Sequence, residues 1–282
     1  MTELYIFIIL AILSGTATKL LNKYVVKSTE PYAFALITQL ISSIIFFGLA
    51  FPKFILPNTL TAWLILALAS ILWSLIAVSV LISYKSAQVS IRDPLSQSKI
   101  IIALLFGTIF LGETTTINRI VGTIVIFLGI CTLLFHPEKR FGRLSEPGVK
   151  WTFFSALLGA TVAIVDKAAL TYFNLETYAF LVYFLPLIIL SLFLPEKIDQ
   201  VKHLLRSKWK SSISAIVLST VTYYLTLKSF SLADVTLVYP LLQLTTLLTV
   251  IGGIIFMKER DHLWQKIIAV VLVIAGSIIL KL

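Results

Sequence analysis

Cysteine is nearly absent from this chain, and Cys131 stands alone inside an apolar run. One thiol supports neither a disulfide framework nor a thiolate metal cluster. Histidine is scarce too: His136, His203 and His262 all fall in polar connections, which leaves no intramembrane histidine site. Charge is the third shortage. Charged residues make up 13% of the 282 positions, against 59% hydrophobic, with a mean hydropathy of +1.00. A soluble domain carries about 25% charged and about 45–50% apolar residues. The chain therefore reads as an all-α polytopic membrane protein. Enzyme signatures are missing as well, with no P-loop, no GxSxG, no HExxH and no paired carboxylates inside an apolar run. ATP hydrolysis, acyl transfer by a serine elbow and zinc hydrolysis have no seat here.

What the sequence does have is long apolar runs. A span needs about 20 apolar residues to cross about 30 Å of hydrocarbon. Ten runs fit, at 3–26, 31–51, 60–84, 89–111, 117–135, 150–172, 177–195, 210–229, 234–257 and 263–281. Breaks between them carry turn chemistry, such as Glu30-Pro31, Pro57-Asn58, Gly112-Glu113, His136-Pro137 and Glu146-Pro147-Gly148. The first run follows Glu3 and shows no small-residue cleavage pattern, so it reads as a retained span and not a signal peptide.

The chain also repeats itself. At an offset of 146 residues Pro94 falls on Pro240, Gln97 on Gln243, Gly107 on Gly253, Phe110 on Phe256 and Glu113 on Glu259. The match continues with Asn22-Lys23 on Asp166-Lys167, Tyr32-Ala33-Phe34 on Tyr178-Ala179-Phe180, Lys85-Ser86 on Lys228-Ser229 and Gly129 on Gly276, at offsets of 143 to 147. Spans 1–5 are thus duplicated as spans 6–10, and an odd number of spans per copy forces opposite orientations. Residues 1–135 form the first five-helix repeat, 136–149 a cytoplasmic connection and 150–282 the second repeat. Inverted repeats of this kind mark secondary transporters, whose site lies near the midplane where the halves meet.

Orientation follows from basic residues. Of the 23, all but Lys19 and Lys99 lie at or near span ends or in connections; five (Lys53, Arg119, Lys167, Lys228 and Lys281) fall on the side holding both termini, and the remaining sixteen on the other. The richer side is cytoplasmic by the positive-inside rule, which puts both termini outside.

The duplicated five-span unit, with Lys23 and Lys167 closing the first span of each copy and a Pro-to-Gly-to-Glu pattern ending in Gly112-Glu113 and Lys258-Glu259, resembles the EamA family of the drug/metabolite transporter superfamily. The resemblance covers nearly the whole chain. It implies ten helices, a central cavity lined by spans 1, 3, 4, 6, 8 and 9, lateral spans 5 and 10, and carriage of small metabolites such as amino acids in the cell membrane. The second copy departs from the pattern, reading Lys258-Glu259 where Gly-Glu is usual.

Candidate site residues are those that cost most in hydrocarbon. Lys99 falls about ten residues into span 4, or about 15 Å along a helix and near the midplane. A lysine there costs about 2.5–3.5 kcal/mol unless it faces a wet cavity or a partner; the bland reading is a snorkelling lysine near the span's end. Its repeat partner is Thr245, so the charge breaks the repeat. Lys19, Lys23 and Lys27 recur every four residues as one stripe, of which Lys23 and Lys27 suit snorkelling and Lys19 can draw in an anion. Asp166 is the one acid well inside an apolar run, suited to an amino group, a coupling proton or simple pairing with Lys167. Gln97 and Gln243 are duplicated amides that need partners across a helix interface or from a ligand. Trp73, Tyr223 and Tyr224 sit mid-span where the resemblance puts cavity walls. Glu113 and Glu259 read as helix-end anchors, and Gly122 and Gly129 permit close helix approach.

The leading expectation is an alternating-access carrier, not an enzyme, for an amino acid or related carboxylate recognised by Lys99 with Gln97 and Gln243. A flippase for a lipid-linked head group is the alternative and a membrane-embedded transferase a distant third. No cofactor, metal or nucleic acid is expected, and the partners are a small-molecule substrate and the lipid bilayer.

Overall fold

The computed structural model describes residues 2–112, 116–134, 146–192, 198–242, 244–259 and 263–279. Among them the secondary structure is helical, with no strand. Six helices are long and apolar enough to cross a membrane, and four shorter apolar helices, including Ile117–Gly129 and Leu175–Ser191, accompany them. The first half contains α1 (Thr2–Val26), α2 (Pro31–Ala50), α3 (Leu60–Ser86), α4 (Val89–Leu95), α5 (Ser98–Leu111) and α6 (Ile117–Leu134). The second contains α7 (Pro147–Ala169), α8 (Leu175–Ser191), α9 (Ile198–Ser207), α10 (Trp209–Leu232), α11 (Val235–Leu242), α12 (Thr245–Phe256) and α13 (Leu263–Ile279).

The expected fourth and ninth spans are each broken once, at equivalent places. A proline has no amide hydrogen to extend the helical ladder. Helix α4 stops at Leu95, just past Pro94, and α11 at Leu242, just past Pro240. Each break closes with a tight turn, Ile100 N–H donating to Gln97 O at 2.9 Å and Leu247 N–H to Leu244 O at 3.1 Å.

The halves pack by exchanging equivalent contacts. Helix α1 lies against α10 as α7 lies against α3, α2 pairs with its counterpart α8, and α6 with α13. The last pair is held by glycines: a Cβ on Gly276 would lie 2.5 Å from Gly122 O, and one on Gly129 2.9 Å from Ala269 O.

Lysines close each half in the same way. Lys23 Nζ donates to Tyr84 O and Ala87 O at the end of α3 (2.7 and 2.5 Å), and Lys167 Nζ to Phe230 O and Ala233 O at the end of α10 (2.6 and 3.1 Å). Both ammonium groups satisfy carbonyls that a helix C-terminus leaves without partners. Lys23 is thus a helix cap, not a snorkelling residue, and Lys167 does not pair with Asp166. These carbonyls correspond at an offset of 146, which replaces the 143 suggested by Lys85 and Lys228.

A second exchange crosses between halves. Arg119 on α6 donates to Thr236 Oγ1 at the start of α11 (2.7 Å), while Lys266 on α13 donates to Gln88 Oε1 (3.3 Å) and Glu259 O (2.9 Å) beside the start of α4. Glu259 Oε1 accepts from Val89 N–H at 3.1 Å, a carboxylate on the positive end of α4. Glu259 is therefore an anchor, as expected; Glu113 lies outside the described residues. Lys258 takes the left-handed conformation (φ 57°) that Gly112 holds in the first copy (φ 66°), so the backbone keeps the motif that the side chain departs from.

Candidate functional site

A cavity of about 320 Å³ lies where the two halves meet, within the about 300–1,000 Å³ usual for small-molecule sites. Its walls come from α1, α3, α4, α5, α7, α10 and α11, with Tyr183 of α8 added; α6 and α13 contribute no described wall residue.

One end of the cavity carries cations around a carboxylate. Asp93 is fully buried on α4. Its Oδ2 meets Lys19 Nζ at 2.9 Å, and its Oδ1 meets Arg92 Nη1 at 2.7 Å and accepts from Tyr84 OH at 3.2 Å. Arg92 Nε donates to Ser83 Oγ at 2.9 Å, and its guanidinium lies 4.0 Å from the centre of the Tyr84 ring. A buried carboxylate is tolerable only with this number of partners. The cluster joins α1, α3 and α4, and it gives the broken fourth span a fixed upper segment next to the turn.

Lys99 lies beyond that turn, at the first turn of α5, and lines the cavity. No described carboxylate comes within 4.0 Å of it, and its Nζ sits 5.5 Å from the centre of the Tyr239 ring. Tyr239 is itself fixed by donating to Gly159 O at 3.0 Å. The ammonium faces a cavity and an aromatic surface, not a fixed anion, which is the setting expected of a lysine that meets an incoming group.

The other end holds Asp166, 2% exposed near the end of α7. Its Oδ1 accepts from Tyr178 OH (2.6 Å) and Trp73 Nε1 (3.2 Å), and its Oδ2 from Tyr223 OH (3.2 Å). Trp73 and Tyr183 stand edge-on to Tyr223, with ring centres 5.0 and 5.4 Å away. Three neutral donors satisfy the oxygens, and no described cation lies within 4.0 Å. The carboxylate is thus solvated by side chains but not paired.

Both ends break the repeat. At the same offsets Lys19, Asp93 and Lys99 become Ala163, Tyr239 and Thr245, while Asp166 becomes Asn22. The scaffold is two-fold; the charges are not.

Of the residues singled out in sequence, Lys19, Trp73, Lys99, Asp166 and Tyr223 do line one cavity. Gln97 does not: its buried amide donates to Asp93 O at 3.0 Å and to Thr246 Oγ1, spanning the interface between the two broken spans. Tyr224 packs on Phe46, ring centres 6.4 Å apart, away from the cavity wall. Gln243 lies outside the described residues. Asp93, Tyr84, Tyr178 and Tyr183 were not anticipated. Asp93 also corrects the expectation of a single deep acid. Its signal was present, since Arg92-Asp93 interrupts a run whose copy reads Val238-Tyr239.

Two helical repeats in an apolar shell, around a shared cavity edged by charged side chains, fit a multi-pass membrane protein. The chain belongs to the EamA-like transporter family, whose model matches residues 2–135 and again 146–282. A solved crystal structure shares the fold at a TM-score of 0.69, with 14% sequence identity over 99% of this chain and 96% of the other. No curated protein matches.

Proposed function

We propose that this protein is a secondary transporter that carries a small zwitterion, an amino acid or close relative, by alternating access through ten spans arranged as two inverted five-helix repeats. The observation that carries the reading is the bipolar cavity: an ammonium without a fixed partner at Lys99 and a carboxylate solvated only by neutral donors at Asp166. A substrate carboxylate suits the first and a substrate ammonium the second, beside Trp73 and Tyr223. This shifts recognition away from Gln97, which does not line the cavity and whose amide nitrogen is engaged between helices. The broken spans support the reading too, because discontinuous helices at a repeat interface supply the polar backbone that such sites use.

Uptake into proteoliposomes tests it, screened over zwitterionic, anionic, cationic and neutral small molecules. A hydrogen bond to a charged group contributes about 1.5–3 kcal/mol, so Lys99→Met and Asp166→Asn should each lower zwitterion transport by about 10- to 100-fold. Both variants should still elute as monodisperse protein. Wild-type transport by Lys99→Met would overturn the site assignment.

A further inference from the structure

A second, smaller chamber lies against the central cavity, and the proposed zwitterion site leaves it unused. It has a volume of about 130 Å³ and shares Asn22, Trp73, Ile76, Val80, Tyr183 and Ser219 with the main cavity, so these six side chains form a common wall between the two. Beyond those shared residues its walls are mostly apolar, with Phe34, Ala35, Ala77, Leu81, Ala215 and Ile216 from α2, α3 and α10. For scale, an apolar cavity of about 150 Å³ holds a benzene ring.

One amide, that of Gln39, is among the residues lining this apolar chamber. Gln39 is 3% exposed on α2, and its Oε1 is fully buried with no hydrogen-bond partner. Leaving such an atom unsatisfied costs about 1–3 kcal/mol. Neighbouring hydroxyls offer no relief: Thr38 donates to Phe34 O at 2.7 Å, and Ser42 is engaged with Thr220 at 2.7 Å. An orphaned acceptor beside a chamber is a candidate partner for a donor placed there.

We propose that the side chamber receives the substrate's own side chain, a ring-sized apolar group ending in one hydrogen-bonding tip, and that Gln39 binds that tip. The inference rests on the central cavity holding the charged groups of the substrate at Lys99 and Asp166. The substrate class then narrows to zwitterions with a bulky side chain carrying a terminal hydroxyl or N–H. A matched side chain lacking the donor leaves Gln39 unpaired and is discriminated against, as in any site built around a buried polar group.

The test compares probes that differ only at the tip. Phenol and toluene, which lack the zwitterion, are titrated against the purified protein by thermal stability; tyrosine and phenylalanine are compared in proteoliposome transport. Replacing Gln39 by Met removes the amide and keeps the volume, so the phenol-to-toluene affinity ratio should fall about tenfold, and the tyrosine-to-phenylalanine transport ratio should fall with it. Ala77→Leu, which intrudes into the chamber, should weaken both aromatic probes. Unchanged ratios in Gln39→Met, with transport intact, would overturn the chamber assignment and leave the zwitterion site standing. A shifted probe ratio without transport of any amino acid would support the chamber and overturn the zwitterion reading.

Discussion

Asp93 is where residue chemistry decides most. It is the shared partner of Lys19 and Arg92, with Tyr84 completing its shell. Removing one partner of a buried ionic group costs about 3–5 kcal/mol, because the remaining charges lose their compensation. Asp93→Asn leaves two cations facing each other and should lower the thermal midpoint in detergent sharply. Lys19→Met leaves the Arg92–Asp93 pair intact and should cost less than half as much. Equal losses from the two variants would mean that Asp93 does not organise the cluster. Part of this site could be read directly, because a lone charge in an apolar run is conspicuous: Lys19, Lys99 and Asp166 stand out in that way. Asp93 did not, since it follows Arg92 directly and sits close to a span end. Nor did the shell of Asp166, whose Trp73, Tyr178 and Tyr223 come from three helices and have no common spacing.

Helix packing sets the next scale, and glycine contacts give it a sharp test. Gly276 on α13 approaches Gly122 O so closely that a methyl group would lie 2.5 Å from a backbone oxygen, while Gly48 on α2 is exposed with nothing within 4 Å. Overpacking a close helix contact costs about 1–3 kcal/mol. Gly276→Ala should therefore destabilise by that amount, measured as loss of folded protein on heating. Gly48→Ala, at an open helical position, should be neutral or stabilise by up to about 1 kcal/mol. If Gly276→Ala melts at the wild-type temperature, α6 and α13 are not locked by their glycines. The pairing of these helices was anticipated only in part, since Gly122 and Gly129 promised a close neighbour without naming it. The broken spans were also written in the chain, as Pro94 and Pro240, but hydropathy runs on through both prolines and conceals the interruption. Contacts between halves, such as Arg119 with Thr236 and Lys266 with Gln88, depend on tertiary proximity that no local pattern encodes.

For the whole molecule the open quantity is direction in the membrane. The repeat was legible because five matches hold one register over twenty residues, and the exchanged packing of α1 with α10 and of α7 with α3 agrees with it. Neither observation says which side is which. Basic residues supply that argument: the connection at 136–149 contains Lys139, Arg140 and Arg143, and α9 with its flanks adds Lys197, Lys202, Arg206, Lys208 and Lys210, all on one side if each half crosses five times. By the positive-inside rule we predict that these connections face the cytoplasm and both termini the outside. A reporter that fluoresces only in the cytoplasm, fused after Leu282, should stay dark, while the same reporter inserted at 140 should be bright. The insertion arm also tests the crossing number, because a dark signal at both places, or a bright one at both, requires an even number of spans between the two sites rather than five. A bright fusion after Leu282 with a dark insertion at 140 would keep the five-span repeat and reverse its orientation. In that case the Lys19–Asp93 end of the cavity, on the same side as the start of α4, would face outward, and the order in which a substrate meets the cationic and acidic ends would be reversed.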